Sequence, residues 1–450
     1  MSLVLPTAPR SRPAPVDPSR DVGPLPTSAA SARTVALVVA LGLVAGGAVA
    51  VSPLVLLLAL VPFVVAVLRH RPIATGLFLL IAGPLTLAAV EIGAMTADNY
   101  VTMLGLLVVL VGAIVKRKVP FTGLSVFPLL VALAILLSGL RNGIDPTSGI
   151  IRFLGLALVP WATVNAESRT FAFRALKLVI LVVALSVITQ PITNYPPPFA
   201  FEDGAVGFRY GGLAGHPNFT CYTLAMVAMV VIGQRRLSKP DYLLVGAIGA
   251  AMLMTGSVAA AVYFGGAVLL VLLQYRRRLL GLAVVGAIGL AAAGGTLLAR
   301  LGAFAATGNG GPNSATWRET QWQQVLMIWR DGHQLAGYGW QQTDKLLANG
   351  LEAHSGYVQT LGELGVVGAV IVLCGLIALA TVSVRTVLAA ALVGYVLLTA
   401  VSDPTFYYPP CATTLFVLLA LIRRSPEDFR PEPTVARPAA ADETTRSERP

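Results

Sequence analysis

Three short stretches of this chain carry residues with acid–base or anion-binding chemistry, two of them beside glycines. The first runs Ala353-His354-Ser355-Gly356 and continues to Gly362-Glu363-Leu364-Gly365-Val366-Val367-Gly368. An imidazole titrates near neutral pH, so His354 is a candidate general base. Eleven residues at about 100° each close three turns with about 20° left over, which puts His354 and Gly365 on one face of a helix. Gly362, Gly365 and Gly368 then recur along that helix and make a groove where another helix can come close. On this reading Ser355, Gly365 and Gly368 pack and position the helix. Its positive end and unpaired amides lie beside His354 and favour a bound anion.

The second stretch, Arg318-Glu319-Thr320-Gln321-Trp322, offers a guanidinium, which grips phosphate oxygens two at a time and stays charged. The third is Arg209-Tyr210-Gly211-Gly212-Leu213-Ala214-Gly215-His216-Pro217-Asn218. Its glycines let backbone amides approach a ligand, and His-Pro-Asn opens a helix. Arg209 is therefore assigned to phosphate, and His216 to a turn or cap rather than to catalysis. Asn218, Trp322 and Arg141 are secondary candidates. Arg152 lies inside an apolar run, where an unpaired arginine costs about 2.5–3.5 kcal/mol; either it serves the site or it snorkels to the interface. The four histidines and the acids Glu202, Asp203, Glu319 and Asp331 lack metal-ligand spacing, so neither a metal nor a cofactor is expected.

What must position these residues is a membrane bundle. Of 450 residues, 56% are apolar and 12% charged, about half the charge of a soluble chain. Cys221, Cys374 and Cys411 are scattered and imply no disulfide framework. Apolar segments lie near 34–50, 52–68, 73–91, 99–115, 121–138, 148–164, 175–191, 217–234, 241–256, 258–274, 279–298, 356–383, 387–401 and 411–422. Several are shorter than the ~20 residues of a usual span. The expectation is an all-α, polytopic integral membrane bundle of 12–14 transmembrane helices, occupying 34–424. With the N-terminus inside, 25 of the 32 Lys and Arg fall on the inner side, against seven outside or within a span. That asymmetry puts both termini in the cytoplasm and removes nucleic acid as a partner. Residues 1–33 and 425–450 read as disordered cytoplasmic tails, the first starting too far from an apolar run to be a cleaved signal peptide. Two long extracytoplasmic loops remain, 191–215 and 301–354. The second holds four of the five tryptophans. Within Ser314–Arg330 the positions Trp317, Val325, Ile328 and Trp329 have helical spacing, predicting an amphipathic helix on the outer membrane surface.

His354-Ser355, nine residues, then Gly365-x-x-Gly368 resembles the signature of the O-antigen ligase and polymerase family, membrane glycosyltransferases. Arg318 four residues before Trp322, followed by Ile328-Trp329-Arg330-Asp331 and Gly337-Tyr338-Gly339-Trp340, is similar to that family's upstream run. The Arg209 loop with its His-Pro-Asn resembles a second family element. The resemblance spans roughly 135–420. After Thr255-Gly256-Ser257 this chain has Val258 where the family often has Arg, so one contact is missing unless Arg152 or Arg141 replaces it.

The resemblance implies transfer of a glycan from a polyprenyl-diphosphate-linked donor to an acceptor hydroxyl, at the outer face of the cytoplasmic membrane, without metal. The acceptor is a glycan, a lipid or a protein, so ligase and polymerase both fit. Arg209, Arg318 and Arg152 would hold the diphosphate, and His354 would take the acceptor's proton. A transporter or flippase of lipid-linked glycans is the alternative. Against it stand the lack of an internal repeat, of paired broken helices and of an acidic residue deep in a span.

Overall fold

A computed structural model describes residues 71–87, 90–92, 95–165, 169–198, 209–234, 237–273, 314–347, 353–383 and 386–424. The tails and the segments predicted at 34–50, 52–68 and 279–298 lie outside the described residues. Within them the chain forms thirteen α-helices: α1 (Pro72–Thr86), α2 (Ala97–Val115), α3 (Val126–Asn142), α4 (Thr147–Asn165), α5 (Arg169–Thr193), α6 (Pro217–Ile232), α7 (Lys239–Thr255), α8 (Val258–Leu273), α9 (Ser314–Arg330), α10 (Thr343–Leu346), α11 (Gly356–Ser383), α12 (Val387–Ser402) and α13 (Pro409–Arg424). One two-residue antiparallel ladder, β1 (Glu91–Ile92) with β2 (Met95–Thr96), leads into α2.

The helix limits follow local chemistry. α6 starts with Pro217 at its first position, where the missing N–H is not needed. α7 is opened by a capping box in which Ser238 and Asp241 satisfy each other's amides. α3 and α7 stop at Gly143 and Gly256, both left-handed. Five helices are long and apolar enough to cross a membrane, and five shorter ones are also apolar. This is a polytopic helical membrane protein.

Every residue of α6 is buried, and it packs against α7, α8 and α13. A helix that is apolar all round belongs in the middle of a bundle. α13 packs on α1, α4 and α6, and α11 packs on α3 and α12. The faces turned away from these contacts carry Leu107, Val111 and Ile114 on α2, and Val370, Leu373 and Ile377 on α11.

The predicted amphipathic helix appears as α9, with the limits read from the sequence, but its apolar side faces protein. Val325 is buried with Tyr338, Leu347 and Ala353, and Ile328 and Val358 pack around them. α9 therefore rests on α11.

Candidate functional site

Hydrogen bonds between helix ends gather one end of the bundle, where the starts of α6, α11 and α13 meet the finishes of α5, α7 and α12. The loops gathered there carry His354, Arg209, His216 and a residue that sequence reasoning missed, Asp403. Asp403 follows the last residue of α12 and is fully buried. Tyr222 Oη donates to its Oδ2 at 2.6 Å, Asn218 Nδ2 approaches both carboxylate oxygens at 3.4 Å, and His354 Nδ1 lies 3.1 Å from Oδ1. Burial alone would push this carboxyl up. The hydrogen bonds from His354 and Tyr222, with the charges of His354 and Arg318, outweigh burial and hold it below the usual carboxylate range.

An ionised carboxylate only accepts, so His354 must donate from Nδ1, which leaves Nε2 as the imidazole's basic atom. The His354 side chain keeps 17% exposure while Asp403 has none. The ring is reachable and its orienting partner is not. His354 itself has φ 49°, a left-handed conformation that is uncommon outside glycine. It precedes α11, which begins at Gly356, with Ser355 Oγ accepting from Val358 N at 3.4 Å.

Arg209 reaches the same cluster by another route. Its Nε donates to Thr255 O at 2.9 Å, and its Nη2 donates to Asn218 Oδ1, whose amide nitrogen faces Asp403. The following turn is clasped from two sides. Gln190 Oε1 accepts from Gly212 N at 2.8 Å and Ser186 Oγ accepts from Leu213 N at 3.0 Å, while Thr220 Oγ1 donates to Gly211 O and Tyr408 Oη to Ala214 O. Gly212 has φ 57°, and a Cβ there would meet Ser186 Oγ at 2.4 Å, so only glycine fits. His216 is the N-cap of α6: its Nδ1 accepts from Asn218 N at 3.2 Å. Burial pushes this imidazole down to about 4, and the Arg209, His354 and Arg318 charges push the same way against Asp403.

Arg318, in the first turns of α9, is close enough for its charge to act on Asp403 and His216. Its Nε is buried without a hydrogen-bond partner among the described residues, as is Trp322 Nε1 on the next turn. Arg209, Arg318 and His354 are thus brought together around Asp403. Arg152 is not. Its Nε donates to Asn99 Oδ1 at 2.8 Å and its Nη2 reaches Thr96 Oγ1 at 3.4 Å, tying α4 to the start of α2. It borders a cavity of about 10 Å³, room for one water, walled by Thr102, Phe153, Tyr407 and Thr413. Arg141 is exposed in the last turn of α3.

Two expectations about α11 are corrected. His354 and Gly365 do not share one helix, because His354 precedes its start at Gly356 with φ 49° and Gly365, with φ 65° and ψ −171°, breaks it. Nor do the three glycines form one groove for one helix. A Cβ on Gly362 would strike Val325 of α9 and the Tyr338 hydroxyl, one on Gly365 would lie 2.4 Å from Gly337 N and the Leu335 carbonyl, and one on Gly368 would meet Leu364 of its own broken helix. The break admits a loop of turns, which then satisfies the freed backbone groups. Tyr338 N and Gly339 N donate to Gly362 O and Glu363 O at 2.9 and 3.1 Å, while Val366 N and Val367 N donate to Gln334 O and Leu335 O at 2.8 and 3.1 Å. Gly337-Tyr338-Gly339, with both glycines at positive φ (69° and 110°), fills that gap. Glu363, two turns into α11, is an acidic residue buried within the protein at 1% exposure. It was overlooked because its neighbours were read only as packing positions.

A polytopic helical membrane protein with a histidine–aspartate pair and two arginines gathered at one bundle end is the class that fold and site define. Residues 243–373 match the family model described as O-antigen ligase, the family the motifs resemble. The match runs from α7 into α11 and includes Arg318, His354 and Gly365; Arg209, Asn218 and Asp403 lie outside it. That segment is thus similar to the O-antigen ligase family, which supports an O-antigen ligase/polymerase-like, glycosyltransferase type of activity in polysaccharide assembly. No protein of curated function matches it.

Proposed function

We propose that this protein transfers a glycan from a polyprenyl-diphosphate-linked donor to an acceptor hydroxyl at the outer face of the cytoplasmic membrane, without a metal ion. The acceptor oxygen attacks the anomeric carbon, its proton passes to His354 Nε2, and the bond from that carbon to the diphosphate oxygen breaks, the diphosphate keeping the electron pair. Asp403 holds the Nδ1 proton, fixing the ring and stabilising the imidazolium as it forms. Arg318 and Arg209 neutralise charge growing on the leaving group. Asn218 and Trp322 shape the cluster. Arg152, bonded to Asn99 and Thr96, has a structural role in this scheme.

The observation that carries the reading is the His354–Asp403 hydrogen bond at 3.1 Å with the Arg318 charge felt at the same carboxylate. The test is transfer from a purified lipid diphosphate donor, normalised to folded protein and run with and without a chelator. Wild-type turnover that survives chelation and falls in Arg318→Gln is expected; loss of turnover on chelation would overturn the metal-free scheme. The membrane face is tested by Asp331→Cys, on an exposed position, which should react with an impermeant maleimide in intact cells. Labelling only after lysis would reverse the topology. In a deletion strain, long glycans held on the carrier would mark a ligase, and single repeat units a polymerase.

A further inference from the structure

The break in α11 and the buried carboxylate beside it join two parts of the site that the chemistry needs at a fixed spacing. Glu363 Oε1 accepts from Thr343 Oγ1 at 2.7 Å, from Thr343 N at 3.4 Å and from Gln359 Nε2 at 3.1 Å. Its backbone oxygen takes Gly339 N at 3.1 Å and Ser138 Oγ at 2.8 Å. With the Gln334, Leu335 and Tyr338 backbone bonds described above, these contacts pin the segment 334–343 to α11. That segment continues from α9, whose Trp329 Nε1 donates to Gln334 O at 3.2 Å and whose Val325 seats against Gly362. α9 carries Arg318 near its start; the outer turn of α11 follows His354.

A buried carboxylate is a poor choice for stability, since an apolar side chain of the same shape usually does as well or better. Here the Gln341 and Thr343 backbone amides and the Thr343 and Gln359 side chains all address the Glu363 carboxyl. Its value is directional: one acceptor that recognises the Thr343 hydroxyl and amide in a single register. We propose that Glu363 is a positioning residue which, with Thr343 and the break at Gly365, forms a latch that sets the distance between Arg318 and His354. This rests on the glycan-transfer reading for its purpose, but not for its existence.

Thr343→Val tests the latch without changing charge. Amide exchange at Tyr338, Gly339, Val366 and Val367 should accelerate, and kcat/KM per folded molecule should fall on the order of 10²-fold, the usual cost of misplacing a group by about 1 Å. In the double variant Thr343→Val with Arg318→Gln the two losses should not add, because both act through the same guanidinium. Thr343→Ser should restore the protected amides and kcat/KM. A merely structural residue would lower the yield of folded protein and leave the two losses additive. Opened amides with unchanged kcat/KM, additive losses, or unchanged amides would overturn the proposal. Should Thr343→Val not fold, Leu335→Cys with Val367→Cys, in a Cys374→Ser background, closes the latch covalently. Turnover retained on oxidation supports it, and turnover abolished overturns it. A wild-type protein without transfer activity would sink the functional reading, while the exchange experiment still judges the latch.

Discussion

His354 Nδ1 and Asp403 Oδ1 stand 3.1 Å apart across 49 positions of sequence, one residue at the entry to α11 and the other at the exit of α12. The bond fixes which imidazole nitrogen remains basic, and the His354 backbone is left-handed at φ 49°.

If Nε2 is the base, His354→Ala lowers glycan transfer by about 10²–10⁴-fold while the protein still inserts and folds. His216→Ala should instead lower thermal stability and leave turnover per folded molecule nearly intact. Transfer assays paired with thermal unfolding in detergent separate the two; near-normal turnover in His354→Ala would remove it as the base.

Asp403→Asn should be nearly as damaging to turnover as loss of the imidazole. An amide can offer its NH₂ to Nδ1 and stabilise the wrong tautomer, and it withdraws the carboxylate from Tyr222 and Asn218. The wild-type carboxyl is held below its ordinary range, so its ionised form adds stability above the unfolded carboxylate pKa, and this is lost as pH falls through the lowered folded value. Unfolding scans between neutral and strongly acidic pH should show a shallower loss for Asp403→Asn; an identical slope would contradict the assignment.

His216 makes a second pH signature. Its folded imidazole is pushed down to about 4, below the unfolded value, so between roughly pH 6.5 and 4 the unfolded chain binds the extra proton. Stability contributed by the neutral cap is complete above about pH 6.5 and disappears as pH falls toward 4, worth roughly 3 kcal/mol. Asn is a good N-cap without that titration, so His216→Asn should flatten the dependence of Tm on pH across this window. An unchanged slope would show that another group governs it.

Gly365→Ala and Gly246→Ala form a matched pair. The first forces a side chain onto φ 65° and 2.4 Å from backbone atoms of Gly337 and Leu335, and the second meets nothing within 4 Å. Gly365→Ala should cost more than about 4 kcal/mol or prevent folding, whereas Gly246→Ala should be neutral by size-exclusion and thermal unfolding. Equal behaviour would mean that the break in α11 is not required.

Much of the frame was legible. The apolar run at 356–383 has the limits of α11, and 217–234 differs from α6 by two residues, because hydropathy reports burial along a single segment. The break at Gly365 was not legible. Glycines spaced at three suit a close helix contact as well as a loop inserted into a broken helix, and only Gly337, far upstream, decides between them. Asp403 escaped for a related reason. Ser402-Asp403-Pro404 looks like ordinary turn chemistry, and what makes it otherwise are a tyrosine and an asparagine more than 180 positions away. Arg152 is a parallel case: the sequence shows a charge in an apolar run, while its partners Asn99 and Thr96 lie 53 and 56 positions earlier, where no local pattern points to them.

Asp403 also orders events during synthesis. Tyr222 and Asn218 leave the ribosome 181 and 185 residues before the carboxylate they bond, so α6 enters the bilayer with two polar groups whose lasting partner does not yet exist. The cluster can close only after α12 is made, and α13, which packs on α6, seals it. A nascent chain arrested before residue 403 would carry Arg209, Arg318 and His354 and still be an unfinished enzyme.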